Sequence, residues 1–401
     1  MNPARFTSMG NAHVEGVLGE LVQKASRAVL RFVLKDNLKA LVLAGSYGRG
    51  EGGIATRDLV QHPSGTLDLI LLVVGLRSSA RQKLATEAEA ALATLRRRYL
   101  VNIDLSVVDA HAVERDRVSV RWHDARHGHR HLAGDPGFLP GLARVTEGAL
   151  DRAEAFDLIV HHGGLLVLND VIRASGPLTP ERREVILKQA ANAVLGFGDA
   201  FLLRRTAYHW SEVERARRMG DRAISAPADL KSLYAVAANY RWSGDPRWAE
   251  RLMFEIENGH LKETLGRVHL ELERRRLRER HLDFEGFVSA SLREDDGDCG
   301  SRLENLARGA LTLVRSRLKR EGPSTAPAAG SGLGRLRAVL PIVLYGLGDA
   351  ADALAAREIL GVRNPRSAFA KASWLRMWGL NATSHPGDTL RRLGISIDVA
   401  A

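Results

Sequence analysis

The stretch Ala40-Leu41-Val42-Leu43-Ala44-Gly45-Ser46-Tyr47-Gly48-Arg49-Gly50 runs five apolar residues directly into a glycine-rich turn. A short apolar run ending on Gly-Ser reads as a buried strand leading into a tight turn. Upstream, Val14, Val17, Leu18, Leu21, Val22, Ala25, Val29, Phe32 and Val33 recur at helical spacing, which predicts an amphipathic helix over residues 12–35. Downstream, a polar segment, Ile54 to Gly65, precedes the apolar run Leu67 to Val74, a second strand. Ala80 to Tyr99 sets Leu84, Ala88, Ala91, Leu92 and Leu95 on one helical face, and Leu100 to Val108 reads as a third strand. Helix, strand, turn, strand, helix, strand describes an α/β (α+β) domain with a mixed sheet covered by helices. Val118–Trp122 and Arg130–Leu132 read as edge strands before Gly134-Asp135-Pro136 breaks the pattern.

From about residue 147 the apolar period becomes 3.6, with helices expected near 149–174, 180–204, 209–219, 227–239 and 247–280. Thr179-Pro180-Glu181 is a helix start, with Thr179 as N-cap and Pro180 at the first helical position. Glu321 to Gly332 is rich in Pro, Gly and Ser and reads as a linker. The sequence therefore divides into an α/β domain over 1–145, a helical domain over 146–320, and a linker with a C-terminal helical segment over 321–401.

The 401 residues carry 45% hydrophobic and 26% charged side chains, the balance of a folded globular chain. One cysteine, Cys299, forms no internal disulfide, and residues 1–16 lack the features of a secretory signal, so a cytoplasmic location is expected. The longest unbroken apolar run, Ala338 to Leu347, falls short of the roughly 20 residues that cross a bilayer, and no membrane span is expected. The net charge of +11 suits anionic partners, nucleic acid among them. It is dominated by arginine and interleaved with acids, as in Glu271–Arg280, so charge alone does not argue for nucleic-acid binding.

A glycine turn after a strand can offer backbone N–H groups to a phosphate, since no side chain blocks close approach. Gly45-Ser46-Tyr47-Gly48-Arg49-Gly50 has that form, without the spacing of a Walker or a Rossmann loop. Asp68 opens the second strand and Asp104 lies inside the third. A carboxylate in a buried strand costs several kcal/mol, about the worth of a strong ion pair, unless it is paired or holds a metal. Two of them beside a phosphate-binding turn suggest a Mg²⁺ site; the alternative is that each caps a strand end or pairs with an arginine.

Leu43 to Gly50, then Leu67-Asp68-Leu69, then Ile103-Asp104-Leu105, resembles the nucleotidyltransferase superfamily of DNA polymerase beta and kanamycin nucleotidyltransferase. The resemblance covers about 100 residues. It implies that Gly45 and Ser46, with Gly48 and Arg49, hold the phosphates of ATP or another nucleoside triphosphate. It implies further that Asp68 is the second acid of a pair, and Asp104 the third acid, of a Mg²⁺ site. The first acid of the pair is replaced by Thr66, in Gly65-Thr66-Leu67-Asp68. Glu51 or Asp58 in the turn could substitute, though nothing in the spacing requires either. A lysine from the helical domain suits a triphosphate, and Lys188 shares a helix face with Asn192, Leu195 and Asp199; an interhelical or solvated salt bridge is the other reading.

The resemblance implies transfer of a nucleoside monophosphate to an unidentified small-molecule or protein acceptor. The alternative is a catalytically impaired relative serving as nucleotide sensor or as a scaffold for a protein partner. His123, His127, His129 and His131 form a histidine-rich patch that reads as a surface hairpin in preference to a zinc site, and Arg204/His209 is one of several Arg-x4-His pairs in an arginine-rich chain.

Overall fold

A computed structural model describes residues 5–57, 60–116, 118–142, 145–279, 282–297, 332–381 and 386–395. Asp58, Cys299 and the stretch 321–331 lie outside them. The described residues form an α+β protein, a mixed four-stranded sheet followed by many helices. Tertiary contacts divide the chain into two compact units, Met1–Glu154 with Leu202–Met253, and Ala155–Phe201 with Phe254–Ala401.

In the first unit, α1 (Ala12–Leu30) starts where the Asn11 side chain accepts the Val14 N–H, and it buries Val14, Leu18, Leu21, Val22, Ala25 and Val29. β1 (Leu38–Ala44) is followed by the five-residue helix α2 (Gly45–Arg49), which Gly50 ends at φ 79°. The polar segment after it is a hairpin, β2 (Ile54–Arg57) and β3 (Val60–Pro63). Tyr47, fully buried, ties this hairpin down: its hydroxyl donates to the Gly53 carbonyl and accepts from the Gly65 N–H, both at 2.9 Å.

β4 (Thr66–Val73), α3 (Ser78–Tyr99), β5 (Asn102–Asp109) and β6 (Arg130–Gly134) complete the sheet, whose order is β5-β4-β1-β6. β4 lies antiparallel to β1 and parallel to β5, and β6 is antiparallel to β1. Alternation along the strands separates two cores. Leu41, Leu43, Leu67, Leu69 and Leu71 join α1 and α3 on one face. Ala40, Val42, Ile70 and Leu72 join Ala110, Val113, Trp122 and Phe138 on the other. Thr66 and Asp68 share the face of Ile70 and Leu72, beyond the end of that second core.

Two expectations change. Val118–Trp122 is not an edge strand. Ser119 caps a helix there, accepting the Trp122 N–H, and α5 (Val120–His127) follows the short α4 (Ala110–Arg115). The helix expected over 247–280 is two, α11 (Pro246–Glu257) and α12 (His260–Arg276), because Gly259 takes φ 80° between them. The first unit also holds α6 (Phe138–Gly141), α9 (Glu212–Gly220) and α10 (Ala228–Ser243).

The second unit is helical. It contains most of α7 (Glu154–Ala174) and α8 (Pro180–Arg204), then α12 and α13 (Phe287–Gly297), and shorter helices over Gly332–Tyr345, Ala350–Leu360, Ala368–Asn381 and Pro386–Arg392. Thr179 caps α8 as its sequence predicts, its hydroxyl accepting the Arg182 N–H at 3.3 Å. By length and composition α7 and α8 would each suffice to cross a membrane, and 61% and 83% of their apolar windows are buried within the protein. Both escape a search for unbroken apolar runs because their polar residues are dispersed.

Candidate acid pair beside the glycine turn

The end of β1 brings the turn to the acids. Ala44 is the register partner of Asp68, so the next residue, Gly45, lies against the Asp68 side chain. Gly45 has φ 63°, and a Cβ there would fall 1.9 Å from Asp68 Oδ2. No other residue fits without displacing the carboxylate. Gly48 answers a different need: a Cβ on it would lie 2.3 Å from the Leu43 carbonyl oxygen, so close packing requires it. Ser46 is buried, and its carbonyl accepts the Glu51 N–H at 2.8 Å.

Asp68 and Asp104 are register partners on parallel neighbours, which sets their side chains on one face of strands about 4.8 Å apart. The pair Thr66 and Asn102 lies next to them on the same face. Asn102 Nδ2 donates to Asp104 Oδ1 at 3.0 Å and stands 3.5 Å from Thr66 Oγ1. Where the resemblance expects a first acid, Thr66 sets a hydroxyl beside the Asn102 amide. Burial and the Asp104 charge push the Asp68 carboxyl up to about 6, while the charges of Arg241, Arg49 and Arg121 work in the other direction.

Arg49 is not presented to a ligand. It is 7% exposed and held by Glu51 at 3.1 Å, Glu212 at 3.6 Å and Asp124 at 3.9 Å. Glu51 is fully buried and both its oxygens are engaged by Arg49, Ser211 and the Glu212 N–H, so it is not offered as the substitute acid that the resemblance calls for. Its carboxylate accepts from Ser211 Oγ and, at 2.8 Å, from the Glu212 N–H, which fastens the turn to the start of α9. Glu212 in turn accepts from Trp242 Nε1 at 3.1 Å and pairs with Arg241 at 3.4 Å. Lys188 belongs to the second unit and pairs with Glu184 one turn back, at 2.9 Å; it is not among the residues the first unit gathers.

Sequence reasoning passed over Asn102, Arg121 and Arg241. Asn102 had a signal, since it lies two residues before Asp104 and shares its strand face. Arg121 was hidden in a supposed strand, and Arg241 arrives from α10, far along the chain. Among the described residues no group of three or more His, Cys, Asp or Glu side chains is placed to hold a metal ion, the four histidines included. The acid pair by itself suits one divalent cation. Two like charges on neighbouring strands, one already driven toward protonation, are relieved by a cation between them. Neither the models of known protein families nor the curated proteins include a match to this chain.

Proposed function

We propose that the protein is a Mg²⁺-dependent nucleotidyltransferase that moves a nucleoside monophosphate from a nucleoside triphosphate to an acceptor hydroxyl. The observation that carries this reading is the level pairing of Asp68 with Asp104, one strand away from Gly45. The residues it brings together are those on which the resemblance rests, and that supports the reading. The acceptor oxygen attacks the α-phosphorus, the bond from that phosphorus to the bridging oxygen breaks, and pyrophosphate leaves. Asp104, at the exposed end of the pair, is in position to take the acceptor proton. Asp68 and Asp104 would hold Mg²⁺, which supplies positive charge to offset that of the phosphates. Gly45 fixes the Asp68 carboxylate against the turn, and Asn102 orients that of Asp104.

Thr66 supports a second reading, a nucleotide sensor that binds without turnover. A hydroxyl is a poorer ligand for a hard cation than a carboxylate. Calorimetric titration of each nucleoside triphosphate with and without Mg²⁺, coupled to an assay for released pyrophosphate, separates the two. Mg²⁺-dependent binding with pyrophosphate release supports the enzyme; Mg²⁺-independent binding without release supports the sensor; no binding of any triphosphate removes both.

A further inference from the structure

Thr66 puts a hydroxyl into the site, and a hydroxyl is what the reaction proposed above consumes. It is half-buried at the first residue of β4, on the strand face that carries Asp68, and Asn102 and Asp104 stand exposed beside that face on β5. The Asn102 amide lies between the two groups: Nδ2 donates to Asp104 Oδ1 at 3.0 Å and stands 3.5 Å from Thr66 Oγ1. Thr66 Oγ1 is therefore used only as an acceptor. Among the described residues nothing accepts its proton. A hydroxyl one amide away from a carboxylate is arranged as a nucleophile beside its base.

Strand register separates Thr66 from the other hydroxyls nearby. Ala44 is level with Asp68 and leads into the glycine turn, so Thr66, two residues before Asp68 on the antiparallel strand, lies on the turn side of the acids. Ser106 shares the face of Asp104 but is level with Ile70, and so with Val42, against the second core. Ser46 is buried in the turn, and the Tyr47 hydroxyl is spent on Gly53 and Gly65. Of these hydroxyls Thr66 alone combines access, an uncommitted proton and a place between the acids and the turn.

We infer that Thr66 is itself a nucleotide acceptor, so that the chain modifies itself with a single nucleoside monophosphate. The inference rests on the nucleotidyltransferase reading and names one acceptor for it. Thr66 Oγ1 attacks the α-phosphorus of a bound nucleoside triphosphate and its proton passes to Asp104. The bond from that phosphorus to the bridging oxygen breaks, and pyrophosphate leaves with the electron pair. The product is a phosphodiester that joins Thr66 to the nucleoside. It lies where the next triphosphate would bind and adds a negative charge beside Asp68 and Asp104, so the modification stops at one per chain and closes the site. An acid at position 66 would have had no such hydroxyl to offer.

The test incubates the full chain with Mg²⁺ and with ATP, GTP, CTP or UTP labelled with ³²P at the α-phosphorus, counts the label on denatured protein and maps it by peptide mass. A nucleoside monophosphate on Thr66 is expected from at least one of the triphosphates, with a labelled fraction that grows at a rate independent of protein concentration. Thr66→Ser should keep the label, while Thr66→Val and Asp104→Asn should carry at least tenfold less, with circular dichroism confirming the fold of each. The peptide map of wild type reads the site without any substitution. Label on another residue, undiminished label in Thr66→Val or Asp104→Asn, or a rate that scales with protein concentration overturns the inference. Mg²⁺-dependent triphosphate binding by calorimetry without label on Thr66 overturns it too and leaves the nucleotidyltransferase reading standing. Absence of binding of all the triphosphates removes both.

Discussion

A side chain on Gly45 would take the place of the Asp68 carboxylate, since its Cβ would fall 1.9 Å from Oδ2. The glycine turn and the acid strand are therefore one device. Gly45 is required by the carboxylate it accommodates as well as by its φ of 63°. Gly45→Ala should cost about 1–3 kcal/mol of stability, from backbone strain and the displaced acid. It should also weaken Mg²⁺ binding at least tenfold. Thermal melting and Mg²⁺ titration check both; a variant with unchanged melting and unchanged affinity would mean that the turn and Asp68 are independent.

Asp68 makes stability depend on pH in a direction opposite to most carboxylates. Its folded pKa, about 6, lies above the 3.8 that is ordinary for an aspartate. The folded state therefore binds the proton more tightly. Below about pH 4 both states are protonated and there is no penalty; as pH rises through 6 the folded state loses up to about 3 kcal/mol relative to the unfolded. Asp68→Asn should abolish this loss and raise the melting temperature at pH 7.5 in the presence of a chelator. Mg²⁺ should stabilise the wild type more at pH 7.5 than at pH 5. Equal stabilisation at both pH values would show that the cation binds elsewhere.

Glu51 tests the fastening of the turn to α9. Glu51→Ala leaves Arg49 buried beside Glu212 and Asp124 without its nearest partner, and strips acceptors from Ser211 and the Glu212 N–H. Breaking a buried, hydrogen-bonded pair in this way costs about 3–5 kcal/mol. Chemical denaturation should show that loss, with Glu51→Gln intermediate because it keeps an acceptor. A loss under about 1 kcal/mol for Glu51→Ala would place the network in water.

These contacts also show where sequence reading stops. β1, β4, β5 and α3 are legible because Leu41, Leu43, Leu69 and Ile103 follow the periods of a pleat and Leu84, Ala88 and Leu92 that of a helix. The acid pair is legible because a charge interrupting an apolar strand demands a reason. Arg49 was misread because its partners are distant in sequence: Glu212 follows it by more than 160 positions, and nothing local announces the approach. The same distance hides the return of residues 202–253 to the first unit. Val120–His127 was misread because eight residues carry too short a period to outvote their β-branched start, and the Ser119 cap decides the matter.

The decisive substitution is Thr66→Asp. Thr66 is the register partner of Asn102 and shares a strand face with Asp68, so the new carboxylate would join Asp68 and Asp104 in one group of three. Without metal that group is repulsive. Asp68 should be driven further toward protonation and the melting temperature should fall in chelator. With Mg²⁺ the order reverses, because three carboxylates bind a hard cation more tightly than two and binding to the folded state alone is worth about 2.7 kcal/mol at a hundredfold excess over Kd. Mg²⁺ affinity is expected to rise at least tenfold, with Asn102 free to hydrogen-bond the added acid as it now does Asp104. If the wild type is a sensor, this variant should gain Mg²⁺-dependent triphosphate binding, and pyrophosphate release if the rest of the site is intact. If the wild type is an enzyme working with two acids, tighter metal binding should leave turnover equal or lower. Unchanged Mg²⁺ affinity in a folded Thr66→Asp protein would show that Asp68 and Asp104 do not share a cation, and the nucleotidyltransferase reading would fall with it.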